Sequence, residues 1–135
     1  MTLRYVGIRV TDLDRSLTFY REGLDLIETA RGAMNHGGRF VQLEDPESRQ
    51  ALELNWYPPG NPHATPFVPG EGLDHLGVEV TDFWAVWDRL LRRGAQVAIA
   101  PWIEVGRPRS YLIGFVTDPD GHWIEVQGPL PALPG

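Results

Sequence analysis

The chain states one pattern twice, and the repeat limits its possible folds more than any other feature. Tyr5-Val6-Gly7-Ile8-Arg9-Val10-Thr11-Asp12 returns about seventy residues later as His75-Leu76-Gly77-Val78-Glu79-Val80-Thr81-Asp82. Each copy runs into an amphipathic stretch that reaches a glycine, Gly23 or Gly94. The copies also close alike: Asp45-Pro46 precedes Leu52-Glu53-Leu54 as Asp118-Pro119 precedes Ile124-Glu125-Val126. Such self-similarity implies two units of one supersecondary design. It puts Tyr5 and His75 at equivalent places in the two copies, and Glu53 and Glu125 likewise.

With 135 residues and 42% hydrophobic content, the expectation is one domain over 1–135, because half-chains of about sixty residues are marginal alone. No cysteine is present, which excludes disulfides, thiolate metal sites and thiol nucleophiles. All 12 basic residues are Arg, so a lysine Schiff base is excluded as well. A formal charge of −6 opposes nucleic-acid binding. No apolar run approaches a membrane span and no leader pattern opens the chain, so it reads as soluble and cytoplasmic, without a membrane partner. Neither a Gly-rich phosphate loop nor a nucleophile elbow is found, which leaves no support for a nucleotide cofactor.

Period-two alternation predicts a strand over 5–10, with Tyr5, Gly7 and Arg9 on one face and Val6, Ile8 and Val10 on the other. Thr11 or Asp12 caps a helix carrying Leu13, Leu17 and Tyr20 on one stripe and ending at Gly23. Strands follow near 26–31, 39–44 and 51–56. From Pro58 to Gly72, five prolines and three glycines mark a linker. The second copy repeats the order: a strand from His75, a helix capped by Asp82 with Phe83, Val86, Trp87 and Leu90 inward, and strands near 97, 111–117 and 123–127. The expected fold is α+β. Two tandem βαβββ modules, about 1–57 and 73–128 with a coil tail at 129–135, form a curved mixed sheet around a polar cleft, helices outside.

In the second copy His75, Gly77 and Glu79 share a face of one strand, and Trp123, Glu125 and Gln127 share a face of another. A pseudo-twofold relation between the copies would bring Tyr5, Glu53, His75 and Glu125 to one point. Two carboxylates and an imidazole suit one divalent ion such as Ni, Co, Zn, Mn or Fe. Without a metal, facing carboxylates repel and one holds a proton.

The strand openings at Tyr5 and His75, the segment from Arg9-Val10-Thr11-Asp12 to Tyr20, Leu52-Glu53-Leu54-Asn55-Trp56, and Phe115 through Asp118-Pro119-Asp120-Gly121 to Val126 resemble the vicinal oxygen chelate superfamily. That superfamily includes glyoxalases, extradiol dioxygenases and bleomycin-resistance proteins. The resemblance covers nearly the whole chain and is greatest to small bacterial glyoxalase I-type proteins. It implies a homodimer, a small-molecule substrate and a metal held by Tyr5, Glu53, His75 and Glu125. It further implies lyase or isomerase chemistry through a metal-stabilised enediolate, with Glu125 as the base and Glu53 sharing the role. Arg9 and Asn55 fall where similar glyoxalases contact glutathione. Trp56 and Trp123, beside the carboxylates, are candidate cleft walls. Tyr5 departs from the His or Gln of metal-dependent relatives: a tyrosinate can ligate, and a phenol can instead hydrogen-bond to bound water or substrate.

Two other activities stay open. An extradiol ring-cleaving dioxygenase wants two histidines and a carboxylate, which would need His36 or His63 to reach the site. A metal-free, bleomycin-resistance-like binding protein would use the acidic charge, Tyr5 and the tryptophans. As single residues, His36, His63 and His122 read as exposed loop histidines, and Asp118-Pro119-Asp120-Gly121 reads as a β-turn and not a calcium loop.

Overall fold

A computed structural model describes residues 1–106 and 108–132. The chain divides into two compact units, Met1–Val68 and Pro69–Gly135, each with its own four-stranded sheet.

In the first unit the order is β1 (Val6–Arg9), α1 (Leu13–Leu24), β2 (Ile27–Ala33), β3 (Arg39–Glu44) and β4 (Ala51–Trp56). The second unit contains β5 (Leu76–Glu79), α2 (Phe83–Arg92), β6 (Gln96–Glu104), β7 (Tyr111–Thr117) and β8 (Trp123–Pro129). The sheets are ordered β1-β4-β3-β2 and β5-β8-β7-β6. The first strand of each unit pairs in parallel with the last, and the remaining pairs are antiparallel. The expected α+β class and the βαβββ order, twice, are therefore what the chain adopts.

Both helices start as the repeat requires. Asp12 accepts a hydrogen bond from the Arg15 amide at 3.0 Å, and Asp82 from the Ala85 amide at 3.1 Å. Their ends differ. The second helix stops at Gly94 with φ +99°, but Gly23 lies buried inside α1, and it is Asp25 at φ 56° that turns the chain out. Asp tolerates the left-handed region better than most residues, so the sequence expectation of a stop at Gly23 was two residues early.

Leu17, Phe19 and Tyr20 of α1 are buried, as are Ile8, Val41, Leu43, Leu52 and Leu54 of the strands, and α1 packs on β3 and β4. Val6, expected on the same face as the buried Ile8, is 46% exposed at the first position of β1. In the second unit Phe83, Trp87 and Leu90 of α2 are buried with Leu112, Val116, Ile124 and Val126. Gly114 lets the helix approach: a Cβ there would lie 2.8 Å from Cζ3 of Trp87.

The last strand runs through Pro129, beyond the expected end at Gln127. Gly128 belongs to it, with space for no side chain between Val80 and Phe83. Residues 130–132 are irregular as expected, and the end of the expected tail, 133–135, lies outside the described residues. Among the described residues no helix is long and apolar enough to cross a membrane.

Candidate functional site

Matching rows of residues cross the two sheets. In the first, Gly7 on β1 pairs with Glu53 on β4, which pairs with Gln42 on β3. In the second, Gly77 on β5 pairs with Glu125 on β8, which pairs with Phe115 on β7. Alternation along the strands sends apolar neighbours such as Leu52 and Leu54 to the helix side and these rows to the other.

On the first sheet Glu53 is only 9% exposed, and its Oε2 accepts a hydrogen bond from Gln42 Nε2 at 2.8 Å. Asn55, next but one on β4, donates its amide to the Glu53 carbonyl at 3.3 Å and fills the space above Gly7. Tyr5 is 42% exposed, immediately before β1. Arg9, paired with Asn55 across the strands, donates to the Thr65 carbonyl at 3.3 Å and to the Thr65 hydroxyl, and its guanidinium lies 5.3 Å from the centre of the Tyr57 ring. The Nε of Arg9 is buried with no hydrogen-bond partner among the described residues. Trp56 is covered by the Arg39 guanidinium at 4.6 Å.

His36 and His63 are exposed, as expected, but they are not isolated. Their rings lie 4.7 Å apart and both lean on Tyr57. A single side chain ties their backbones together: Asn61 donates to the His36 carbonyl at 2.6 Å and accepts from the His63 amide at 2.9 Å. Residues 57–65 thus form a strap anchored on the β2–β3 turn and on Arg9.

On the second sheet His75 and Glu125 meet, with Nε2 of the imidazole 3.3 Å from Oε2 of the carboxylate. The other ring nitrogen, Nδ1, is 2.6 Å from Asp74 Oδ1. A carboxylate on Nδ1 favours the tautomer with its proton there, in which Nε2, facing Glu125, carries the lone pair. The His75 ring stands edge-on to Phe115, which in turn contacts Trp102 and Trp123. Trp123 is 37% exposed. Above Gly77 no atom lies within 4 Å of where a side chain would begin, so space beside Glu125 is open.

His122 overturns its expectation of exposure. It is 1% exposed, and its amide and Nδ1 lie 2.8 Å from Oδ1 and Oδ2 of Asp118. Asp118 also accepts from the Asp120 amide at 2.9 Å, and the Gly121 amide donates to the Asp118 carbonyl at 3.0 Å. This is the expected β-turn, locked from within.

Each unit, taken by itself, carries donors of a kind that divalent ions take: an imidazole beside a carboxylate in the second, and a carboxylate with one oxygen hydrogen-bonded in the first. Among the described residues no three His, Cys, Asp or Glu side chains form a group able to hold a metal. Gln42 was missed from sequence, although it could have been found by counting equal steps back from the turn at 45–50, which pairs residue 42 with 53. Asp74 and Tyr57 carried no periodic signal.

The family model described as the glyoxalase/bleomycin resistance protein/dioxygenase superfamily matches residues 2–126. A lactoylglutathione lyase of Haemophilus influenzae is 32% identical over 130 residues, covering 93% of this chain and 90% of its own. Among solved structures, a trypanothione-dependent glyoxalase I of Leishmania major superposes with a TM-score of 0.70 at 26% identity, over 95% of this chain and 86% of that one. Glyoxalase I of Zea mays superposes with a TM-score of 0.73 over 96% of this chain. At 22% identity that likeness shows the fold alone, and this chain spans 46% of the maize protein.

Proposed function

The chain belongs to the glyoxalase/bleomycin resistance protein/dioxygenase superfamily, and from that membership we propose that it is a metal-dependent lyase of the glyoxalase I type, acting on a hemithioacetal or a similar small oxygenated substrate. The observation that carries this reading is the Asp74–His75–Glu125 arrangement, with Nδ1 engaged at 2.6 Å and Nε2 beside the carboxylate at 3.3 Å. The proposed ligands are Glu53, His75 and Glu125, with Tyr5 as a fourth donor, and the working form is a homodimer. A divalent ion held there supplies Lewis-acid stabilisation of negative charge on vicinal oxygens.

The residues divide the remaining work. In this reading Glu125 takes a carbon-bound proton and returns it to the neighbouring carbon, and the open space above its partner Gly77 supports the role. Glu53 is tied to Gln42 through Oε2. Arg9 offers a fork of donors to a carboxylate on the substrate, which would take over the contact now made by Thr65. Asn55 adds an amide beside it. Trp123 supplies an exposed aromatic wall.

Elemental analysis of protein purified without a metal-affinity tag tests the reading, together with isomerisation of the methylglyoxal–glutathione hemithioacetal. The expected result is about one equivalent of a borderline divalent ion per chain, lost in Glu125→Gln, with turnover that tracks metal content. No metal uptake from added Ni, Co, Zn, Mn or Fe overturns it and favours a binding protein. Metal uptake with turnover of catechols alone favours ring cleavage.

A further inference from the structure

We propose that Gln42 is a positioning residue for Glu53, fixing which carboxylate oxygen is presented to the metal. The inference rests on the reading of Glu53 as a ligand. The two residues are direct cross-strand partners on β3 and β4, and the Gln42 amide nitrogen lies 2.8 Å from Glu53 Oε2. The direction of the bond follows from chemistry: an ionised carboxylate only accepts, so the NH2 end of the amide must face it. With one lone pair of Oε2 taken by the amide, Oε1 is the oxygen that Gln42 leaves fully open to a cation. Because Glu53 is 9% exposed, water has little access to replace the amide if the carboxylate turns.

The second copy of the repeat shows that this contact is specific to one half. The residue opposite Glu125 is Phe115, which has no donor and packs on His75 instead. One row therefore holds its carboxylate in a single orientation, and the matching row leaves its carboxylate free of a cross-strand amide. The asymmetry separates a static ligand from a carboxylate able to turn between metal and substrate. A residue that merely satisfied a buried acid would affect folding of the apo protein, not the strength or geometry of metal binding.

The test is Gln42→Met, which keeps side-chain length and removes the donor. Co(II) is titrated into metal-free parent and variant, followed by calorimetry and by visible absorption, with urea unfolding of both apo proteins alongside. The expected result is Co(II) binding weaker by about 10- to 100-fold and an altered absorption band, in an apo protein that still unfolds cooperatively. Gln42→Leu is read in the same way if the Met variant fails to fold. Equal affinity and an unchanged spectrum overturn the proposal for Gln42 while leaving the metal site standing. Parent binding that survives Glu53→Gln removes Glu53, and with it Gln42, from the site. A parent that binds no Co(II) overturns both the proposal and the functional reading beneath it.

Discussion

The imidazole of His75 is engaged on both sides, with Asp74 on Nδ1 at 2.6 Å and Glu125 3.3 Å from Nε2. The two partners are unequal. The Asp74 side chain is 94% exposed, while that of Glu125 is 21% exposed. Water can replace Asp74, so Asp74→Asn should weaken Ni(II) or Co(II) affinity by no more than about fivefold, the range of an exposed ion pair. His75→Ala should abolish stoichiometric binding. Calorimetric titration of the two variants checks this, and equal losses would mean that Asp74 does more than orient the ring.

Packing of α2 against its sheet depends on Gly114. Its added Cβ would meet Trp87 Cζ3 at 2.8 Å, Trp87 Cη2 at 2.9 Å and the Pro101 Cα at 3.2 Å. Trp87 is buried and cannot swing away, so Gly114→Ala should cost about 1–3 kcal/mol in urea unfolding. Gly77→Ala, at a position with nothing within 4 Å, should stay within about 0.5 kcal/mol. A reversed order would contradict the packing described for α2.

Asp118 is 3% exposed, and its side chain accepts from the Asp120 amide, the His122 amide and His122 Nδ1. Asp118→Ala strands buried donors, and the loss should be about 2–4 kcal/mol in chemical denaturation. A loss below about 0.5 kcal/mol, the level of an ordinary surface substitution, would show that the turn is held by other contacts.

The β3–β4 turn has its own acid at the matching place. Hydrogen bonding from the Ser48 hydroxyl, at 2.6 Å, and then from the Glu47 amide holds the Asp45 carboxyl below its ordinary value of 3.8. A depressed folded-state value means that the contribution to stability is present above the unfolded value and is lost as pH falls through the folded one. Carboxyl NMR titration should place the Asp45 midpoint below 3.8 and move it upward in Ser48→Ala. If Ser48→Ala leaves the midpoint in place, the hydroxyl is not the cause.

Much of this was legible along the chain. The repeat, the capping aspartates Asp12 and Asp82, and the alternation around Glu53 and Glu125 are local patterns. The hydrogen bonds and hydrophobic faces they imply depend on neighbours two to four residues away. Errors fell where a local rule had a competitor. Asp25, not Gly23, ended α1 because a short polar side chain can also enter the left-handed region. Gly128 stayed in β8, although a proline follows it, because its lack of a side chain lets it pass close to Val80.

The sequence by itself determined the two βαβββ units and the strand positions of Glu53 and Glu125, because strand period and helix capping are written in successive side chains. Only the tertiary structure decided their partners. That Glu53 meets an amide and Glu125 a phenyl ring, that Arg9 is engaged by Thr65, that His36 and His63 touch, and that His122 is buried all depend on registers and strap contacts between residues far apart in the chain. Such pairings are set by how strands align and loops fold back, and no periodicity in the chain encodes them.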